Sequence, residues 1–309
     1  MRVVFWGSPD FAVPTLEALL ASPHAVVGAV SQPARPKGRG RRVAATPVAE
    51  RAVAAGLPVL TPEKPRGDAF LERLRAFDAD VFLVAAYGEI LPPAVLETPP
   101  HGALNVHASL LPAYRGAAPV TRALLDGREV TGVTIMRMAA GLDTGPMCLQ
   151  SEELIRPDDT AGSLAGRLAE RGAGLAVEAL DLLETGRLVE TPQDDRAASM
   201  APKVEPDEAR LDWSRPTAFL ERAARAFDPW PGAWTTWRGE RLNVFRLENR
   251  AATGDREPGE ILVTDPAPVV RTGDGAVRLV LVQPAGGQRM SGADWARGRE
   301  ARPGQRLGE

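Results

Sequence analysis

The sequence predicts an α/β fold, a Rossmann-like, mainly parallel sheet domain followed by a smaller all-β region, and three features predict it. Through the first half, short apolar runs alternate with amphipathic segments, the pattern of βαβ units whose sheet is covered on both faces. Near residue 190 the texture turns polar and proline-rich. Beyond it, short apolar runs follow one another across close turns such as Gly273-Asp274-Gly275, which reads as a small barrel or sandwich.

In order, residues 2–6 read as a buried strand and 14–22 as a helix with Pro14 near its first turn. Residues 26–30 are a second strand. Residues 46–56 carry their own boundary signals: Thr46 can cap, Pro47 fits the first helical position and Gly56 ends the helix. An apolar run at 57–60, a helix over 68–77 and a strand over 80–88 come next. The segment 90–98, a strand over 103–109, a helix over about 117–125 and a strand over 131–138 complete the alternation. Residues 160–186 form a long amphipathic helical stretch with Gly172 and Gly174 as candidate break points. Residues 191–209 hold three prolines among polar residues and read as a linker, giving domains at 1–189 and 207–309 around a linker at 190–206. A helix at 216–227 then leads into the short strands.

The 309 residues are enough for one large or two ordinary domains, and 44% hydrophobic with 25% charged residues is the composition of a soluble globular protein. A net charge of −3 excludes a generally basic nucleic-acid coat protein but permits a local basic patch. The single Cys148 allows no internal disulfide, and its apolar surroundings read as buried filler rather than a nucleophile. The start has no apolar stretch long enough for a signal peptide or membrane span, so a cytoplasmic chain with no membrane partner is expected. After the first strand comes Gly7-Ser8-Pro9-Asp10-Phe11, without the three spaced glycines of a dinucleotide site, so NAD binding is not expected.

Asn105 and His107 stand two apart in a strand and therefore project to one side, while Val106 and Ala108 turn the other way. At the carboxyl end of a parallel strand they would sit where such sheets bind ligands. A histidine satisfied by a neighbouring carbonyl inside the core is the competing reading. A second strand and glycine-flanked loop, 131–147, holds Asp143 between Gly141 and Gly145. If the two strands are neighbours, Asp143 can reach His107 and orient its ring; otherwise it is a turn residue. An Asn–His–Asp cluster without a serine or cysteine nucleophile suits binding an oxyanion and shuttling a proton while two substrates react directly. No clustered His/Cys set offers a metal site.

The run Asn105-Val-His-Ala-Ser-Leu-Leu-Pro-Ala-Tyr-Arg-Gly, followed by residues 131–147, resembles the folate-dependent formyltransferase family, and the likeness extends through Gly7–Pro14, 31–42, 85–92 and 225–234. The resemblance implies that Asn105, His107 and Asp143 are the catalytic trio. It also implies that Ser109, Leu110, Leu111 and Pro112 form a folate-binding turn, and that the loop with Tyr87, Gly88 and Ile90 lines the pterin pocket. Ala108 stands where glycine is also common, and Trp6 where a smaller residue or methionine is usual. The donor implied is 10-formyltetrahydrofolate and the acceptor the α-amine of methionine on initiator tRNA, handled by a monomer with an oligonucleotide-binding-like barrel as its second domain.

Arg35, Lys37, Arg39, Arg41 and Arg42 fall within nine residues without an acid; the chain carries −3, so removing these five charges leaves −8. A solvated loop is one reading. The other, supported by the resemblance, is a glycine-jointed arm that follows the tRNA phosphate backbone. Five of the six tryptophans lie in the second domain, where most are expected in the core. Three rival functions stay open: formyl transfer to a small amine, RNA binding without catalysis, and hydrolysis of the formyl donor.

Overall fold

Val3, Val4, Phe5 and Trp6 are fully buried, and they make β1 (Arg2–Gly7) the hub of a seven-stranded sheet. The computed structural model describes residues 1–37, 42–252 and 256–309. After β1 the chain forms α1 (Val13–Leu20), β2 (Ala25–Val30), a ribbon of β3 (Arg35–Lys37) and β4 (Arg42–Ala44), α2 (Pro47–Ala54) and β5 (Val59–Leu60). It continues through α3 (Asp68–Arg75), β6 (Val81–Ala85), α4 (Pro93–Leu96), β7 (Ala103–His107), α5 (Pro119–Leu125), β8 (Val130–Arg137), β9 (Met147–Leu154) and α6 (Ala161–Glu184). The strand order is β5-β2-β1-β6-β7-β8-β9, parallel from β5 to β7 and antiparallel at β8 and β9. From β1 the chain winds outward to β2 and β5, then resumes on the other side at β6. That reversal makes the gap beyond the carboxyl ends of β1 and β6 the expected ligand crevice.

Local signals act as their chemistry requires. Thr46 accepts the Ala49 N–H at 3.1 Å, with Pro47 opening α2. One sheet face buries Val4, Trp6, Phe82, Val84 and Ala103 in a cluster with Phe70, Leu71 and Leu74 of α3 and with Tyr87 and Leu91. The other face carries Val106 of β7 and Val133 of β8 against Gly172 of α6. The helix is unbroken at both glycines, because Leu168, Ala176 and Leu180 bury at helical spacing with Gly172. Tertiary burial outweighs the weak helix propensity of glycine.

Arg35, Lys37 and Arg42 stand in the β3–β4 ribbon rather than in an irregular loop, with Arg35 opposite Ala44 and Lys37 opposite Arg42. A segment leaving the sheet must find partners for its backbone groups, and the two flanks supply them to each other. Arg39 and Arg41 lie outside the described residues. Cys148 is half-buried on β9 rather than fully buried, and burial, with the Glu190 charge adding, pushes its thiol up to about 11. Among the described residues no helix is long and apolar enough to cross a membrane.

The chain divides into two compact units, Met1–Pro119 with Val130–Leu154 and Ala165–Pro202, and Val120–Glu129 with Ile155–Leu164 and Lys203–Glu309. Residues 190–202 of the expected linker therefore count with the first unit. The second contains α7 (Thr217–Ala226), β10 (Trp234–Trp237), β11 (Glu240–Arg250), β12 (Ile261–Val263), β13 (Val269–Arg271), β14 (Ala276–Pro284), β15 (Met290–Ser291) and α8 (Gly292–Gly298). Its strands form an antiparallel half-barrel in the order β10-β11-β14-β13-β12, with β15 also on β14. Trp213, Trp237 and Trp295 are buried there, the last two edge to face at 5.3 Å. Trp234 is half-buried under the Arg210 and Arg241 guanidinium groups, and Trp230 is exposed. Most tryptophans thus fill the core.

Candidate active site

β7 pairs with β6 through Val84–Asn105 and Ala85–Val106, so His107 ends its strand at the carboxyl edge of the sheet. Val106 faces α6, which sends Asn105 and His107 together to the opposite face. Asn105 is half-buried between Val84 and Met136 in register, and His107 is 5% exposed.

His107 is held from two sides. Its Nε2 lies 3.0 Å from the Tyr114 carbonyl oxygen. A carbonyl can only accept, so the ring carries a proton on Nε2 and presents Nδ1 elsewhere. Nδ1 faces Asp143 Oδ2 at 3.6 Å, close enough for electrostatic contact and longer than a hydrogen bond. Oδ2 of Asp143 also accepts the Gly116 N–H at 2.8 Å. Asp143 sits at φ +52, a left-handed conformation that aspartate tolerates better than most residues.

The route by which Asp143 arrives differs from two adjacent strand ends. β8 runs antiparallel to β7, with Arg137 beside Leu104 and Thr134 beside His107. The loop after β8 thus leaves from the far end of β7 and comes back to the His107 end. Strand direction leaves no trace in apolar periodicity, which is why spacing alone could not reveal this.

The turn after His107 is fixed through its backbone. Thr134 Oγ1 donates to the Ser109 carbonyl at 2.7 Å and accepts the Leu111 N–H at 3.0 Å. Gln150 Nε2 donates to the Leu111 carbonyl at 2.8 Å and to Thr134 Oγ1 at 2.9 Å. Ser109 Oγ donates to the Ala113 carbonyl, Leu111 is buried, and the Leu111–Pro112 peptide is cis. Leu110 lies over Gly132. No expectation from the sequence singles out Thr134, Gln150, Tyr114 or Gly116, although all but Gln150 lie within the two segments that carry the family resemblance. Thr134 would be found only by placing β8 antiparallel to β7.

The loop at 86–90 follows β6 at the same edge. Ala86 and Gly88 hold positive φ and are exposed, and Ile90 is 76% exposed. Tyr87 does the reverse: its ring packs edge-on against Trp6 at 5.1 Å, 2% exposed. Burial, reinforced by the Glu89 charge, pushes its hydroxyl up to about 12. Only the Tyr87 backbone remains at the edge, its carbonyl accepting Ser8 Oγ at 3.0 Å. The sites expected to be shared are thus brought together in part: His107 meets Asp143, Asn105 shares the His107 face, and the 86–90 and 109–112 loops cap neighbouring strands.

The chain matches the formyl transferase family model over residues 1–180 and the formyl transferase C-terminal domain model over residues 203–300. It is 49% identical to the methionyl-tRNA formyltransferase of Nocardioides sp., over 100% of this chain and 98% of that one. It is 46% identical to the methionyl-tRNA formyltransferase of Streptomyces coelicolor, over 100% of both. Its fold is similar to that of the N-formyltransferase from Helicobacter canadensis, solved with folinic acid and dTDP-3-aminofucose (TM-score 0.67, 15% identity, 94% of this chain and 100% of that one).

Proposed function

Because this chain belongs to the formyl transferase family, we propose that Asn105, His107 and Asp143 move a formyl group from 10-formyltetrahydrofolate to the α-amine of methionine on initiator tRNA. The likeness to methionyl-tRNA formyltransferases over the whole chain supports the substrates, and the facing of His107 Nδ1 and Asp143 Oδ2 carries the assignment of roles. A cytoplasmic monomer is taken as the acting form, which sedimentation of the purified protein checks.

The edge residues suit a flat, hydrogen-bonding heterocycle. The 86–90 loop offers backbone at Ala86 and Gly88, where a Cβ on Gly88 would meet open space. The turn of Ser109, Leu110, Leu111 and Pro112, pinned by Thr134 and Gln150, forms the neighbouring wall. The folate, when bound, supplies the formyl carbon.

Each side chain then has one task. The Asn105 amide donates to the formyl oxygen as it gains negative charge under attack by the methionine amine. His107 keeps Nε2 on Tyr114, so Nδ1 is the atom that takes the proton from the attacking amine and returns it to N10 of the folate as the formyl C–N10 bond breaks and tetrahydrofolate leaves. Asp143 holds that proton's charge beside the ring, steadied by the Gly116 N–H. Arg35, Lys37 and Arg42 of the ribbon, with Arg39 and Arg41, contact tRNA phosphates.

A single assay separates this reading from its rivals: formyl transfer to methionyl initiator tRNA against uncharged initiator tRNA, elongator methionyl-tRNA and small amines. Transfer restricted to the charged initiator is expected; transfer to a small amine alone would displace it. His107→Ala should cut turnover by about 10²–10³-fold with the thermal midpoint preserved. Near-normal turnover would remove His107 from the chemistry.

A further inference from the structure

Residues 191–201 have the composition of a linker, yet they bind the rest of the first unit through Thr191, Gln193, Asp195, Ser199 and Ala201. Thr191 and Met147 exchange backbone hydrogen bonds at 2.8 Å in both directions. Ser199 N–H donates to the Pro112 carbonyl, the Ser199 carbonyl accepts the Arg115 N–H at 2.8 Å, and the Ala201 N–H donates to the Arg115 carbonyl at 2.7 Å. Gly116 (φ +125) lets this approach happen, since a Cβ there would stand 2.6 Å from the Ala201 carbonyl oxygen. The residues met are those that hold two of the trio: Tyr114, partner of His107, through its N–H to Ser199 Oγ at 2.9 Å, and Gly116, the donor to Asp143, through the close approach of Ala201.

Gln193 is the centre of the contact. Its Nε2 donates to the carbonyls of Asp143 (2.9 Å) and Gly145 (2.7 Å), and its Oε1 accepts from Arg115 Nε at 2.9 Å. The two carbonyls can only accept and the guanidinium can only donate, so one amide orientation satisfies all three. Arg115, 7% exposed, is further tied to Asp195 at 2.8 Å. The side chain of Asp143 is set by Gly116 and its backbone by Gln193, and both supports are closed by the same segment.

We propose that residues 191–201 are a strap that sets the position of Asp143 against His107, with Gln193 as its positioning residue. The inference rests on the trio reading above. Gln193 touches no reacting atom; it fixes the left-handed loop so that the carboxylate stays at the ring. Loss of about 1 Å in such placement costs up to ~10²-fold in rate.

The test uses the full chain with both substrates. Gln193→Glu keeps length and the acceptor for Arg115 but sets an oxygen against two carbonyls; Gln193→Ala removes the hold. Each should lower kcat about 10–100-fold while both KM values stay within about twofold. A purely structural role would lower the thermal midpoint and leave kcat at 25 °C unchanged. Asp143→Asn alone and combined with each Gln193 variant closes the cycle: if the strap acts through Asp143, the double variants are no slower than Asp143→Asn. Near-normal kcat in both Gln193 variants beside a crippled Asp143→Asn overturns the strap and leaves the trio standing. Additive losses overturn it as well. Normal turnover in Asp143→Asn removes the trio reading itself.

Discussion

Tyr87 separates what a binding motif contributes through its backbone from what it contributes through its side chain. Its ring belongs to the core against Trp6, and its buried hydroxyl has no hydrogen-bond partner among the described residues. A buried hydroxyl without a partner costs free energy that phenylalanine would not. Tyr87→Phe should therefore hold or raise stability, by about 1 kcal/mol, and leave the KM for the folate donor unchanged. A weakened donor KM with an unchanged melting temperature would place the hydroxyl in the binding site instead. At this scale the sequence was legible where chemistry is rare. One histidine beside an asparagine and one aspartate between glycines drew notice, and His107 does meet Asp143. It was silent where chemistry is common. Thr134 and Gln150 look like any strand residues until the register of β8 is known.

The two glycines of α6 show how an element reads differently in sequence and in space. Both weaken a helix by about 1 kcal/mol relative to alanine. Only one has a reason in the fold: a Cβ on Gly172 would stand 2.7 Å from Val106 Cγ1, whereas a Cβ on Gly174 would meet nothing within 4 Å. Gly174→Ala should stabilise by up to about 1 kcal/mol, as urea unfolding would measure. Gly172→Ala gains the same propensity but must push a packed valine on the strand that carries Asn105 and His107. Overpacking of that kind costs about 1–3 kcal/mol, so the net change should be destabilising, with turnover falling as β7 shifts. Equal stabilisation by both substitutions would contradict the packing account. The order of elements in the first unit was readable because burial on two faces writes continuous apolar runs. Strand direction at β8, the pairing of β3 with β4 and the strap at 191–201 were not. The direction of β8 and the β3–β4 pairing are made by backbone hydrogen bonds, and the strap by backbone bonds together with Gln193, none of which marks the apolar pattern.

A chain of net charge −3 that handles a polyanion must do so through local patches, and the β3–β4 ribbon, whose strands contain Arg35, Lys37 and Arg42, is the one proposed. Phosphate contacts release counterions, so the logarithm of affinity falls with the logarithm of salt by about 0.7–0.9 per contact. Replacing Arg35 and Arg42 together by alanine should therefore weaken tRNA binding at low salt and flatten that slope by about 1–2. Initiator and elongator tRNAs should lose affinity alike, because phosphates carry no sequence information. At saturating initiator tRNA the turnover should be preserved, since neither residue belongs to the His107–Asp143 arrangement. Filter binding across a salt titration reads the slope, and single-turnover formylation reads the chemistry. An unchanged slope would make the ribbon a solvated surface element. Lost turnover at saturation would instead give these arginines a part in placing the acceptor end.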